Sequence, residues 1–397
     1  MSYCLFILLT IIVFINFKRF YSAQEQQPFF IFFVFSVTIL YTPIIYYLIG
    51  QGSSYRNFSD SALDTFQLIS IGIFLLMFCA DVIAAELTSK DRMVYLREKL
   101  LHKESLTPKK ATLFKIFLYV LTGFICLYIC FHLESFTLVK LISGASLTAR
   151  SDTTGDLPHW FTMYLLISIF IPILYFYTTK KKSLTVQITG CLCVLLFLMI
   201  DGNKGLVFTF CLYILLFKFK NVISLKTFLL LLISVLIYLF LMSGSFMIND
   251  ENTQHLSGAF RRTFVTQGAG IPNRIEMKDQ GFDFHSGTRV AEDVFQYIYG
   301  YTGGAHPTFF IIDIGIQYGF PFMFLVGGIA MLVLTVLSRK IFYLHNRDDF
   351  FYWCYAYMAF CCSMSEISKL ENWYRYIFIF TLIFFYRQYI KRISTPV

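Results

Sequence analysis

The chain has 397 residues, of which 57% are hydrophobic and only 14% are charged. Soluble domains carry about 25% charged and about 45 to 50% apolar residues, so this composition excludes an ordinary water-soluble globular protein. The 47 Phe and 26 Tyr residues need a bilayer or a bundle interior to cover them. All ten Cys residues lie inside apolar runs, so they predict small hydrophobic side chains rather than a disulfide framework or a metal pair.

Hydrophobic runs recur along the whole chain and predict an all-α, polytopic integral membrane protein with about 11 spans, in a range of about 10 to 12. The first run is followed by Lys18 and Arg19 and has no basic residue before it, the reverse of a secretory signal peptide. It is therefore expected to stay as a span with the amino terminus outside. The predicted spans are residues 3–17, 28–49, 65–86, 113–131, 161–178, 184–200, 206–219, 227–248, 308–337, 350–367 and 373–387.

The distribution of charge supports this orientation. The predicted orientation places 22 of the 33 Lys and Arg residues on the inward side, in agreement with the positive-inside rule. The amino terminus is then periplasmic and the carboxy terminus cytoplasmic. The net charge of +9 is explained by this topology together with anionic inner-leaflet lipid, and it gives no reason to expect nucleic acid as a partner.

We expect one membrane domain, residues 1–397, with its function on the outward face. The inward loop at residues 87–112 is basic and partly amphipathic, and it carries no nucleotide-binding motif. Chemistry that uses ATP or a nucleotide sugar therefore has no evident site on that side. The two outward segments that stand out are a periplasmic loop at residues 132–160 and a large periplasmic loop at residues 249–307, before the ninth span.

The large loop contains the pattern of a helix near residues 289–299. Thr288 can cap this helix, Gly300 can end it, and its amphipathic character predicts that it lies on the membrane surface. The predicted apolar face consists of Val290, Val294, Tyr297 and Ile298.

A second helix is predicted directly after the large loop. His306 stands at a helix-capping position and Pro307 at the first helical position, while Gly319 and Pro321 interrupt the apolar run that follows. Residues 307–318 would extend only about 18 Å, which is too short to cross a bilayer. The pattern therefore favours a re-entrant or interfacial half-helix whose positive end faces an outer cavity.

Several basic residues on the outward side are candidates for binding a lipid diphosphate. Such a ligand brings about two negative charges, and its departure concentrates more charge on the leaving oxygen, so its site needs several fixed cations. Each cation has an alternative role as an interfacial side chain or as the partner of a nearby acid. Lys204 stands in a short turn whose glycines allow the backbone to approach an anion closely. The candidates are Arg150, Lys204, Arg261, Arg262 and Arg289.

His306 is the only histidine in a setting that suits a site, where a catalytic or phosphate-orienting role and a purely capping role carry equal weight. The acidic candidates for a general base or an orienting group are more often structural partners of cations. No histidine spacing suits a metal, and neither a metal nor another cofactor is expected. The acidic candidates for a general base or an orienting group are Asp201, Glu292, Asp293 and Asp313.

The topology of the whole chain resembles the Wzy-type O-antigen polymerases and, more distantly, the O-antigen ligases of Gram-negative inner membranes. The turn Gly202-Asn203-Lys204-Gly205 and the late run GAHPTFFIIDIGIQYGFPF carry the similarity. The resemblance implies that Lys204 is the basic turn residue, that Arg261 or Arg262 supplies the large-loop arginine, and that His306 matches the ligase-like histidine. Those residues, His306, Arg261 and Lys204, are the candidate catalytic residues.

This resemblance implies a membrane glycosyltransferase in the bacterial inner (cytoplasmic) membrane. It would join undecaprenyl-diphosphate-linked oligosaccharide repeat units at the periplasmic face and release undecaprenyl diphosphate. The implied partners are the lipid-linked donor and acceptor, membrane lipid and a chain-length regulator protein. The alternatives are an O-antigen ligase and a lipid-linked oligosaccharide flippase or other transporter. A transporter would favour ionisable groups near mid-membrane and repeated halves. Most of the predicted spans are charge-free in their middles, and no internal repeat is visible.

Overall fold

The computed structural model describes residues 2–49, 58–89, 108–135, 183–199, 266–282, 284, 290–301 and 309–344. Every regular element in these stretches is helical, and none of them contains a strand. Three helices, Tyr3–Ser22, Asp60–Leu87 and Phe320–Lys340, are long and apolar enough to cross a membrane. The all-α prediction is confirmed for this part of the chain, while the span count and orientation stay predictions. The predicted spans outside the described residues are 161–178, 206–219, 227–248, 350–367 and 373–387.

The described helices belong to two compact units of the chain. One unit comprises Met1–Leu101, Phe219–Phe350 and Tyr357–Trp373, and the other comprises His102–Lys218, Phe351–Ala356 and Tyr374–Val397. In chain order the helices are α1 (Ser2–Ser22), α2 (Gln27–Leu40), α3 (Thr42–Leu48), α4 (Asp60–Leu87), α5 (Pro108–Phe131), α6 (Leu184–Met199), α7 (Thr266–Ala269), α8 (Ile271–Asp279), α9 (Val290–Tyr299), α10 (Phe310–Tyr318) and α11 (Phe320–Leu344). Short 3-10 turns occupy Gln24–Gln26 and Leu133–Ser135.

Helix α4 is the centre of the first unit, because α1, α8 and α11 all pack on it. Ser59 begins the helix, since its Oγ accepts a hydrogen bond from the backbone N–H of Ala62 at 3.3 Å. Its 28 residues extend about 42 Å, more than the roughly 30 Å of a bilayer core. Gly72 lets α11 approach closely, because a methyl group at this position would overlap with the ring of Phe324.

Aromatic side chains fill the interior between α1, α2 and α4. The ring of Phe20 meets those of Phe29 and Phe33 edge to face, with centroids 5.0 and 5.3 Å apart. Phe33 in turn lies 5.8 Å from Phe74 of α4. Edge-to-face aromatic pairs add stabilisation beyond that of their buried area. Asn16 contributes a buried polar link by donating from Nδ2 to the carbonyl of Phe74 at 2.9 Å.

Charged side chains gather where α1, α4 and α11 end. Asp81 is 1% exposed and accepts hydrogen bonds from Arg19, Gln26 and Arg339, the last from Nη2 to Oδ1 at 2.9 Å. Arg339 also donates from Nη1 to Glu25 Oε1 at 3.2 Å. Since each of the three helices contributes a residue near its C-terminal end, the three helices run parallel. We call Arg19, Glu25, Gln26, Asp81 and Arg339 the Asp81 cluster.

A sharp break separates α10 from α11 at Gly319, whose φ of 98° and ψ of 152° suit only glycine. The two helices fold back on each other, because Gly315 faces Met323 and Ile311 faces Gly327. Gly327 is seven residues after Phe320, the first residue of α11. The N-terminal end of α10 therefore packs beside α11 about 10 Å from the start of that helix. The break predicted from sequence is therefore present, and it produces a nine-residue helix too short to cross a bilayer.

Helix α10 begins later than the sequence predicts. Its first residue is Phe310, and the preceding Phe309 has extended backbone with φ −93° and ψ 125°. The physical reason is packing, because the buried ring of Phe309 lies 5.7 Å from that of Phe32 in α2. The described helix therefore starts at Phe310, three residues after the predicted first residue. The predicted capping residue His306 and Pro307 themselves lie outside the described residues.

Helix α9 occupies Val290–Tyr299 within the predicted large loop. Val290, Val294 and Ile298 are its buried residues, and Tyr297 is half-buried, which matches the apolar face derived from the sequence. Gly300 follows the helix with φ 75°, a conformation that commonly ends helices. The location of α9 on a membrane surface stays a prediction.

Helices α5 and α6 of the second unit are apolar but widely exposed. Phe131 at the end of α5 is 82% exposed, and Val120 and Leu192 are more than half exposed. Helix α5 begins at Pro108, inside the segment predicted as the basic inward loop. Apolar surface of this extent needs lipid or another chain to cover it, which is compatible with a membrane protein.

Candidate functional site

The predicted large loop contains a helical segment that packs into the first unit. We call residues Thr266–Gln280, which include α7 and α8, the Arg274 segment. Helix α8 is polar in composition, yet it packs on α4 and α10. Its buried residues are Ile271, Pro272, Asn273, Arg274, Ile275 and Met277.

The start of the Arg274 segment rests on α2 and α3. Gly268 lies against the carbonyl of Ile39 and the ring of Pro43, where any side chain would overlap with both. The hydroxyl of Tyr47 donates to the carbonyl oxygen of Ala269 at 2.6 Å. This close backbone approach fixes the position from which α8 begins.

Arg274 and Asp313 form a buried ion pair between α8 and α10. Arg274 Nε donates to Asp313 Oδ1 at 3.1 Å, with the arginine fully buried and the aspartate 4% exposed. A buried charge is tolerated only when a partner and hydrogen bonds compensate its desolvation. Asp313 was a candidate base or orienting group from the sequence, and the structure shows it as the partner of an arginine.

Lys278 attaches the same segment to the end of α10. Its Nζ donates to the carbonyl oxygen of Gly315 at 2.7 Å and lies 4.8 Å from the ring centroid of Phe320. A cation at the C-terminal end of a helix is favoured by the helix dipole. Burial lowers the pKa of the Lys278 ammonium group, and the charge of Asp279 acts in the opposite direction. Two cations of the Arg274 segment therefore hold α10 beside its break.

The exposed side of α8 is attached to the start of α4. Ser59 donates to Glu276 Oε2 from its backbone N at 2.9 Å and from Oγ at 2.6 Å. Gln280 Nε2 donates to Glu276 Oε1 at 3.1 Å. The hydrogen bonds from Ser59 lower the pKa of the Glu276 carboxyl, because they favour its charged form.

Of the site residues proposed from sequence, only Glu292, Asp293 and Asp313 fall within the described stretches. Glu292 is exposed and Asp293 is half-buried on α9, and both interact with other groups. The remaining candidates lie outside the described residues, so their mutual arrangement stays a prediction. These are Arg150, Asp201, Lys204, Arg261, Arg262, Arg289 and His306.

The sequence did not single out Arg274 and Lys278. The two residues are four positions apart and follow Gly270-Ile271-Pro272, a pattern typical of a helix start. This spacing would place both on one face of a helix. Their burial was not readable, because it depends on Asp313 and Gly315, which lie 39 and 37 residues further along the chain. Within the stretches that the structure describes, no group of three or more His, Cys, Asp and Glu side chains could hold a metal ion.

The described part of the chain therefore defines a helical protein with three candidate membrane-spanning helices and an ion-paired segment packed against a broken helix. Comparison with known protein families, with curated proteins and with solved structures finds no match.

Proposed function

We propose that this protein is an O-antigen or surface polysaccharide polymerase, a glycosyltransferase of the bacterial inner membrane. It crosses the membrane about 11 times, with the amino terminus periplasmic and the carboxy terminus cytoplasmic. At the periplasmic face it joins undecaprenyl-diphosphate-linked oligosaccharide repeat units. The resemblance of its topology and short motifs to Wzy-type polymerases is the origin of this proposal.

One structural observation carries most weight in its favour. Arg274 and Lys278, two cations of the predicted outer loop, are held against α10 next to the break at Gly319. A loop that only connects two spans would stay solvated, whereas this segment buries an arginine inside the bundle. A fixed, partly polar interior of this kind is what a site for a charged lipid headgroup needs.

The proposed reaction exchanges one bond at the anomeric carbon of the donor. The acceptor hydroxyl attacks this carbon, and the bond to the diphosphate oxygen breaks. Undecaprenyl diphosphate leaves with the electron pair, while the hydroxyl proton passes to His306 or to an acid such as Asp201, Glu292 or Asp293. In the proposal the charge on the leaving diphosphate is stabilised by Arg150, Lys204, Arg261, Arg262 and Arg289.

Two alternatives have specific support. The resemblance extends to O-antigen ligases, which transfer finished polysaccharide to another lipid. A lipid-linked oligosaccharide flippase or other transporter is favoured by the short helix α10 and its buried ion pair, since broken helices and embedded charges occur at transport sites. Against transport, the Asp81 cluster lies at helix ends rather than at their middles.

Loss of the gene tests the proposal and separates the alternatives. Lipopolysaccharide capped by a single repeat unit indicates a polymerase, and an uncapped core indicates a ligase. Repeat units that reach the outer face in the deletion strain exclude a flippase. Lys204→Ala and Arg261→Ala are expected to abolish the ladder of chain lengths, while Lys18→Ala, an exposed cation of α1, is expected to keep it. A normal ladder with both site variants, in protein confirmed to be inserted, refutes the proposed site.

A further inference from the structure

We propose that Arg274 and Asp313 are a positioning pair, which latches the Arg274 segment onto α10 and so keeps the outer site assembled. The inference rests on the proposed function for the identity of the outer site that the pair positions. The latch itself is the ion pair between these two residues, and it has a readout of its own. Neither residue is assigned contact with a substrate.

The burial of the pair makes it a latch. Arg274 has no exposed surface, and its Nε lies 3.1 Å from Oδ1 of Asp313. A guanidinium keeps its charge at any ordinary pH, so it cannot escape the desolvation cost by losing a proton. The carboxylate of Asp313 therefore compensates a charge that the Arg274 segment carries into the bundle, and its removal disfavours the packed position.

Removal of Arg274 and removal of Asp313 should have unequal effects, and this difference can be measured. Without Arg274, the Asp313 carboxyl can take up a proton and become neutral. Without Asp313, the arginine stays charged and loses this compensation, which favours movement of the segment toward water. Replacing both by apolar residues of similar volume removes both charges, so the segment is expected to remain packed.

The place of the latch in the sequence indicates what it positions. Arg262 precedes Thr266, the first residue of α7, by four positions, and His306 precedes Phe310, the first residue of α10, by four positions. A bond between α8 and α10 therefore constrains the chain a few residues after each of these candidates, which themselves lie outside the described residues. A displacement of about 1 Å at a reacting centre can lower a rate by roughly 100-fold.

Cysteine labelling tests the latch without any assay of activity. Met277 of α8 is 1% exposed, so Met277→Cys should react slowly with a membrane-impermeant maleimide. We expect labelling to be about ten-fold faster or more with Asp313→Leu, moderately faster with Arg274→Met, and unchanged with the double variant. Asp279→Asn, at an exposed carboxylate on the same helix, is the matched control and should change nothing. The protein without Met277→Cys gives the background from its own cysteines.

Kinetics with purified lipid-linked repeat unit test the positioning role. Each single variant should lower kcat with little change in KM, and the double variant should recover most of kcat, because the segment is packed again without either charge. A double variant that is protected from labelling yet inactive would show that one of the residues acts directly, which overturns positioning. Protection of Met277→Cys in both single variants overturns the latch. If the wild-type protein forms no polymer, the proposed function fails, and labelling alone decides the latch.

Discussion

Removal of the Asp81 carboxylate should be the most damaging change at the helix ends of the first unit. Asp81→Leu leaves the Arg339 side chain, which is 8% exposed, with the partly exposed Glu25 as its one charged partner among the described residues. Breaking a buried pair by removing one partner costs about 3 to 5 kcal/mol. Arg19 is 35% exposed and can turn toward water, and Glu25 still holds Arg339, so we expect about 3 kcal/mol, the lower end of that range. This corresponds to roughly a 150-fold change in the unfolding equilibrium.

The measurement is a denaturant titration of purified protein in detergent, followed by intrinsic fluorescence. Arg339→Met should destabilise less than Asp81→Leu, because Asp81 keeps Arg19 and Gln26 as donors. Arg19→Met should have the smallest effect of the three, because the Arg19 side chain already meets solvent. Glu86→Gln, at an exposed carboxylate on the same helix, is the control. Equal stability of Asp81→Leu and Glu86→Gln would refute the account of a buried, helix-joining carboxylate.

Three further outcomes follow from the glycines and from Ser59. Gly72→Ala should lower the free energy of unfolding by about 1 to 3 kcal/mol, because the added methyl group overlaps with Phe324. Gly123 of α5 faces open space, so Gly123→Ala should raise the free energy of unfolding by up to about 1 kcal/mol in the same titration. Gly319→Ala should cost about 1 to 3 kcal/mol through its positive φ, and wild-type stability in this variant would contradict the strained turn. The Ser59 hydrogen bonds to Glu276 should contribute stability that is complete above the ordinary carboxyl pKa of 4.5 and is lost as pH falls through the lowered folded pKa. Ser59→Ala should flatten this acid-side dependence in a pH series of unfolding measurements, and an unchanged pH profile would count against it.

The elements that the sequence predicted correctly are those whose signal is local. Continuous apolar runs predicted α1 and α4. Helix α1 continues five residues beyond the end of its predicted span, and α4 begins five residues before its own. The break at Gly319 was readable because a glycine two residues before a proline interrupts an apolar run. The buried face of α9 followed from its periodicity, and no distant partner was needed to define it.

The elements that the sequence did not reveal depend on distant partners. Helix α8 reads as a solvated loop because four of its nine residues are charged, and its burial requires Asp313 of α10. The sequence predicts Arg19 as one inward basic charge among many, whereas its side chain contacts Asp81, 62 residues further along the chain. Hydrophobic periodicity carries no information about such pairs, because the side chains involved count as polar at each position. For the same reason the delayed start of α10 was missed, since it follows from the contact of Phe309 with Phe32.

The Asp81 cluster also constrains how the chain is threaded in the proposed topology. Helices α1, α4 and α11 run parallel, so the chain between α4 and α11 must return to the side from which α4 began. If α4 and α11 both cross the bilayer, an odd number of crossings separates them. The proposed topology has five there: residues 113–131, 161–178, 184–200, 206–219 and 227–248. Merging or splitting one of these runs would make the number even and turn α11 around, which would move Arg339 away from Asp81. The contact of Arg339 with Asp81 is therefore compatible with any odd number of crossings in this stretch, and the count of five stays a prediction.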